Sequence, residues 1–365
     1  MLNLAKTLIH VLFLLPLVTV SYIFPKKIYV SDSMRRQKLT LQNIAKGNCA
    51  IRLITPRFKD TSLDSIIKPL FSLLVRKIYS LGNRKKLHFV HWGYSDKQRF
   101  GFSFSEFGYD TSYTENTLLG FAENGDYDVV GYLIDSRAPY FDGRVATDLE
   151  QMLNEQASGV IARRDDLRDF VSAAKASSLQ KFPEYNQGND YCFGSDDVVV
   201  IGQVPGDAAW TQTDCVVADN IDLIRVAQNH LKPDSTLYYK AHPRNHLKEK
   251  EHNQICELFP GIIEIPPEVS LKSIFRSHPK VVVNTSGAGL DAGLEGCEVH
   301  SYGVSFYAGW GATIDHFPKV QRRTTELSFD EIFAVTLGMY TKYFCRNSNL
   351  NVSVSEVTEI IRDTK

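Results

Sequence analysis

At 365 residues the chain exceeds one ordinary core, and at roughly 150 residues per domain it reads as two domains with an additional segment. Lys and Arg total 41 against 42 Asp and Glu, a net charge of -1, so no global basic field draws in a nucleic-acid backbone, although small or local polyanions stay admissible. With 43% apolar and 23% charged residues the composition excludes disordered and polytopic membrane proteins.

Leu8 to Phe24 is almost continuously apolar and is followed by Lys26, Lys27, Arg35, Arg36 and Lys38. It is marginal for a hydrocarbon core of about 30 Å, and Pro16 and His10 interrupt it. It reads as an uncleaved anchor or a helix lying in the interface, with the basic cluster holding the body on the cytoplasmic side; the alternative is a first buried helix or strand. Asp64 to Leu81 has helical apolar spacing with Lys and Arg on the other face, an amphipathic helix for the body or a membrane. Strands follow at Leu87–Gly93 and Asp128–Asp135, with helices at Thr147–Glu155 and Asp165–Lys181. Pro183 to Asp190 reads as a linker.

Beyond the linker, strands at 197–203, 236–241, 261–265, 280–284 and 297–302 alternate with helices at 220–231, 246–259, 271–277 and 288–294. Such alternation implies a parallel sheet covered on both faces, with ligands bound past the carboxyl ends of its strands. A helix from Phe329 through Tyr343 and a short C-terminal helix close the chain. The six cysteines lie far apart, without CxxC or any Cys/His spacing that closes a tetrahedral metal site; they read as buried free thiols in a reducing compartment.

The residues after each strand are therefore the functional candidates. Gly202 to Asp207 is a turn of two glycines and a proline that ends on a carboxylate, placed to attack or deprotonate, or to cap the next helix. Lys240 and His242 fall on one side of the next strand end, as a phosphate requires, and a His beside a phosphodiester can donate to the departing oxygen. Asn284 to Gly289 is a run of small residues opening a helix, where backbone N–H groups and the Ser286 hydroxyl can face an anion; it is neither a Walker loop nor a dinucleotide fingerprint. Asp291 follows one turn later, within reach of ribose hydroxyls. Gly303 to Asp315 is rich in glycine and aromatic residues and is followed by Arg322-Arg323, groups suited to a base, a sugar or a carboxylate. Trp92-Gly93 and Glu115 are the counterparts in the N-terminal half.

In this order, Trp92-Gly93, Glu115-Asn116, Gln203 to Asp207, His242-Pro243, Ser286 to Gly289, Phe306 to Gly311 and Arg322-Arg323 resemble the motifs of the bacterial capsule polysaccharide β-Kdo transferases of the KpsC and KpsS type. The similarity runs from about Leu87 to Arg323, and FYAGWG is its most specific part. It implies a GT-B-like α/β fold of two Rossmann-like domains with a cleft between them, plus the N-terminal apolar helix. The corresponding division is a possible anchor (1–25), a helical extension (26–85), an acceptor-side domain (86–190), a nucleotide-sugar domain (191–335) and C-terminal helices (336–365). The resemblance further implies retaining, metal-independent transfer of Kdo from CMP-Kdo, with no cofactor beyond that donor. Asp207 then matches the essential aspartate, Glu115 the acceptor-side acid and His242 the leaving-group partner. Gln203, Lys240, Ser286, Gly287, Asp291, Tyr307, Trp310, Arg322 and Arg323 line the donor site.

Departures from the family pattern bear on substrate. Glu115-Asn116-Thr117-Leu118-Leu119-Gly120 stands where the family has Glu-Asp-Gly-Phe-Leu-Arg, Asp291 where Glu is usual, Ala209 where Ser is common, and Ile314 interrupts an acidic pair. They admit another nonulosonic acid or another acceptor. The expectation is a transferase on the cytoplasmic side of the inner membrane, peripheral or held by one anchor, with a glycan or glycolipid acceptor and no nucleic-acid partner. A UDP- or GDP-sugar transferase and a non-catalytic nucleotide-binding scaffold are the alternatives.

Overall fold

A computed structural model of the chain describes residues 14–31, 33–34, 37–53, 62–100, 102–123, 125, 127–177, 193–243 and 249–364. The chain divides into two compact units: 1–116 with 121–139 and 342–352, and 117–120 with 140–341 and 353–365. The expected linker around 183–190 lies outside the described residues.

The first unit holds a mixed seven-stranded sheet. Its strands β1 (Ile28–Ser31), β2 (Cys49–Arg52), β3 (Leu87–Trp92) and β4 (Asp110–Asn116) are parallel. Strand β5 (Val129–Asp135) turns antiparallel to β4, and the returning strands Lys342–Cys345 and Asn351–Val352 continue that antiparallel half. Two expectations are corrected here. Residues 26–85 are not a helical extension, because β1 and β2 are integral to the sheet. The stretch 336–365 is not purely helical, because 342–352 supplies two strands before the helix Val354–Asp363. Strand β4 was hidden in the sequence by its polar composition, DTSYTEN, which shows no apolar alternation.

Among the described residues no helix is long and apolar enough to cross a membrane; residues 8–13 of the segment expected as an anchor or an interfacial helix lie outside them. Residues 14–23 are helical and turn Leu14, Leu17 and Val18 into a core with Ile28, Val30 and Phe89. The helix Ser62–Tyr79 contributes Phe71, Val75, Ile78 and Tyr79 to that core. Its other side leaves Leu70, Leu73 and Leu74 exposed at 63%, 65% and 44%.

The second unit holds an all-parallel six-stranded sheet: β6 (Val198–Ile201), β7 (Leu237–Lys240), β8 (Ile263–Glu264), β9 (Lys280–Val283), β10 (Val299–Ser301) and β11 (Ile314–Asp315). Their spatial order is β11-β10-β9-β6-β7-β8, the doubly wound arrangement in which the chain direction across the sheet reverses between β6 and β9. Strand period explains the apolar runs VVVI and KVVV. Val199, Ile201, Val281 and Val283 face Ile274, Phe275, Ala288 and Ala292, while Val198, Val200 and Val282 face Leu223, Ile224, Ala227 and Phe259. Both faces are thus buried, which costs a strand its polar alternation.

Candidate functional site

In open α/β sheets the groove for a ligand opens where the strand order reverses, beyond the carboxyl ends of the two strands there. In the second unit those strands are β6 and β9, and the candidate residues of the sequence follow them directly. Val204-Pro205-Gly206-Asp207 is a β-turn: the Asp207 N–H donates to the Val204 carbonyl at 3.0 Å, and Gly206 takes φ +77, a value that disfavours any side chain. Proline before that glycine sets the first turn angle. The turn delivers Asp207 half-buried at the head of the helix Ala208–Thr211, where Oδ1 accepts the Ala209 N–H at 3.1 Å. Both readings of Asp207 are therefore compatible, since no hydrogen bond from a described residue reaches Oδ2.

Buried Gln203 ties the two strand ends together. Its Oε1 accepts from the Thr285 hydroxyl at 3.1 Å and lies 3.4 Å from the Thr285 N–H. Its own backbone is bracketed by Asn220, whose Oδ1 accepts the Gln203 N–H at 3.0 Å and whose Nδ2 donates to the Gln203 carbonyl at 2.9 Å. Sequence reasoning missed both Thr285 and Asn220; the only signal was an Asn at the start of a predicted helix. Ser286 and Gly287 are half-buried beside this clamp. The Ser286 carbonyl accepts from the Tyr307 hydroxyl at 2.5 Å, and a methyl on Gly289 would collide with that hydroxyl.

Several donor-site expectations are corrected by these surroundings. Tyr307 and Trp310 are 0% and 1% exposed, so neither offers a ring face to a ligand. Gly309 and Gly311, at φ +78 and +85, flank Trp310 and fold its indole inward, where Nε1 donates to the Phe306 carbonyl at 2.9 Å. Burial raises the Tyr307 hydroxyl well above the ordinary tyrosine range and raises Asp315, whose carboxylate accepts from the Gly309 N–H at 3.0 Å and from the Thr313 hydroxyl at 2.6 Å. The arginine pair is likewise occupied. Arg323, 5% exposed, donates to Glu150 Oε2 at 3.0 Å and to the Ser305 and Ala308 carbonyls, while Arg322 donates to Glu150 Oε1 at 2.8 Å and to the Gly143 carbonyl at 2.7 Å. Glu150 is 4% exposed and sits in the first turn of the helix Asp148–Gln156, capped by Thr147. It is an anchor that nothing in the sequence singled out.

Lys240 is also turned away from a phosphate role. Its ammonium donates to the Pro266 carbonyl and, at 2.9 Å, to that of Pro267, and burial pulls its pKa down to about 8. His242 is half-buried two positions beyond β7, and Asp291 is exposed on the helix Ala288–Leu294. Glu115 is half-buried on β4 of the first unit, in register with Leu133 of β5. Among the described residues Cys49, Cys215, Cys297 and Cys345 are thiols, but only Cys297 is buried, and Cys256 is exposed; Cys192 lies outside those residues.

The second unit is thus a doubly wound parallel sheet in which the segments after β6 and β9 meet at the switch point. Residues 148–343, more than half the chain, match the model of the capsule polysaccharide biosynthesis protein family, and the chain belongs to that family. It is 30% identical over 227 residues to the lipopolysaccharide-processing protein LpsZ of Rhizobium meliloti, covering 58% of this chain and 48% of that protein. It is 27% identical over 242 residues to the capsule polysaccharide modification protein LipA of Neisseria meningitidis serogroup A, covering 62% of this chain and 32% of LipA. The chain thus spans about half the length of LpsZ and about a third of the length of LipA. Two Thermosulfurimonas dismutans KpsC structures share its fold. The β-Kdo 2,7 transferase has a TM-score of 0.63 at 20% identity, covering 93% of this chain and 99% of that one. The β-Kdo 2,4 transferase has 0.64 at 18%, covering 91% and 97%.

Proposed function

We propose that the chain is a retaining glycosyltransferase of surface-polysaccharide assembly, transferring Kdo or a related nonulosonic acid from a CMP-sugar to a glycan or glycolipid. The observation that carries this reading is the clamp at the switch point, where Gln203 joins the turn bearing Asp207 to the Thr285-Ser286 segment. The Kdo substrate class is proposed by analogy with the KpsC β-Kdo transferases. In the proposed reaction an Asp207 oxygen attacks the anomeric carbon as the bond to the CMP phosphate breaks, and CMP leaves with the electron pair. The acceptor hydroxyl then displaces Asp207 and loses its proton to a general base, so two inversions give net retention. His242 donates to the departing phosphate oxygen. Ser286 and Gly287 provide the remaining polar surface for the donor, and no step requires a metal ion.

The same reading places the protein at the cytoplasmic face of the inner membrane as a peripheral enzyme. Its support is the apolar stripe Leu70, Leu73 and Leu74, with Tyr22, Ile23 and Leu81 also exposed and Arg76, Lys77, Arg84 and Lys85 nearby in the chain, a pattern that suits an anionic lipid interface.

Thermal melting with CMP, UDP and GDP tests the donor class, since a ligand that binds the folded state raises the melting temperature by mass action. CMP is expected to give the largest rise. A larger rise with UDP or GDP would transfer the proposal to that donor, and no rise with any nucleotide would remove it.

A further inference from the structure

Away from the switch point, three histidines distant in sequence meet on the second unit. His230 ends the turn Gln228–His230 before β7, His300 lies on β10, and His316 directly follows β11. One ring nitrogen from each lies within 4.8 Å of the others. His300 Nδ1 is 3.0 Å from His316 Nε2, and His300 Nε2 is 2.9 Å from Glu298 Oε1. The His230 and His300 rings are 4.1 Å apart, and Tyr302 stacks on His316 at 4.3 Å while its hydroxyl lies 2.9 Å from His230 Nε2.

The hydrogen-bond chemistry orients this group. A carboxylate only accepts, so the proton of neutral His300 sits on Nε2 facing Glu298, and the Nδ1 lone pair points at His316. That is the carboxylate–histidine arrangement which prepares a ring nitrogen for a metal. Ligand nitrogens about 3.3 Å apart suit a tetrahedral ion with bonds of about 2.0 Å, close to the separation already present between His300 and His316. We propose that His230, His300 and His316 form a binding site for a divalent transition metal of the zinc class, with Glu298 as the orienting partner and water in the fourth position.

The charged groups around the three rings admit a cation. The opposing charge is Lys280, 3.4 Å from the His230 carbonyl, and Asp196 at 3.9 Å offsets it. His300 stands opposite Val282 in the middle of the sheet, whereas Gln203 and Thr285 lie beyond its carboxyl edge, so this site is separate from the proposed donor site. An ion here would staple the end of the helix Asn220–Ala227, β10 and the edge strand β11, whose Asp315 holds the Gly309 loop.

The test uses the whole chain without a histidine tag, freed of metal by a chelator and titrated calorimetrically with Zn²⁺, then with Co²⁺ followed by visible absorption. One ion per chain is expected, with the strong visible bands of tetrahedral cobalt. His230→Asn and His316→Asn should each weaken binding at least tenfold, Glu298→Gln by about tenfold, and His88→Asn in the first unit not at all. Metal-free circular dichroism and melting of each variant separate lost binding from lost folding. Absence of binding to the wild type, or binding unaltered in a folded His230→Asn/His316→Asn double variant, would overturn the assignment.

Discussion

Asp207 carries two tasks that separate by magnitude. As a helix cap it is worth about 1 kcal/mol, so Asp207→Ala should leave a folded protein, whereas under the proposed mechanism the same change should abolish product. Turnover assays beside a thermal melt check both parts. Arg323 and Glu150 are a buried pair, and breaking it strands a charge at a cost of about 3–5 kcal/mol. Arg323→Ala should therefore unfold far below wild type in denaturant titrations, while Arg322→Ala, 38% exposed in its side chain, should lose only about 1 kcal/mol. Equal losses would contradict the distinction drawn here. Tyr307 reaches the site only through the Ser286 carbonyl, so it is a positioning residue: Tyr307→Phe should raise KM for the donor more than it lowers kcat.

At the scale of single elements, the second unit was legible because its two central strands, β6 and β9, are valine runs and its strands alternate with helices that carry periodic apolar faces. The helix read at 288–294 matches Ala288–Leu294, and the strands read at 197–203 and 280–284 contain β6 and β9. The first unit was less legible, since β1, β2 and β4 are short or polar and pair across long stretches of chain that carry no local signal. At the candidate site, Gln203, Asp207 and Ser286 lie just past the two switch-point strands, where the sequence pattern put them, whereas the aromatic and arginine motifs turn inward. Glycine-flanked aromatics and guanidinium groups also build a tightly wound internal loop, and sequence alone cannot tell which side faces a ligand. Strand β3 yields a pH prediction. Burial, reinforced by Lys27, holds His88 down to about 4, so the unfolded chain takes up a proton near 6.5 that the folded chain refuses. Stability should fall between about pH 6.5 and pH 4, by roughly 2 kcal/mol from this residue. A folded His88→Asn variant should show a shallower fall over that window, and an unchanged slope would remove His88 from the account.

For the molecule as a whole, the exposed leucines of the helix Ser62–Tyr79 do not serve its own core, which takes Phe71, Val75 and Ile78 from the opposite side. Leu70→Ser/Leu73→Ser/Leu74→Ser should leave melting nearly unchanged and reduce co-sedimentation with anionic vesicles several-fold, with wild-type binding weakened by salt. Retained binding in the triple variant would place membrane contact elsewhere. The central claim concerns chemistry, and mass spectrometry of products from CMP-Kdo with a panel of glycan acceptors tests it most directly. An acceptor heavier by one Kdo and release of CMP are expected, with loss of both in folded Asp207→Ala. Product formed at the wild-type rate by that variant, or product from UDP- or GDP-sugars alone, would contradict it.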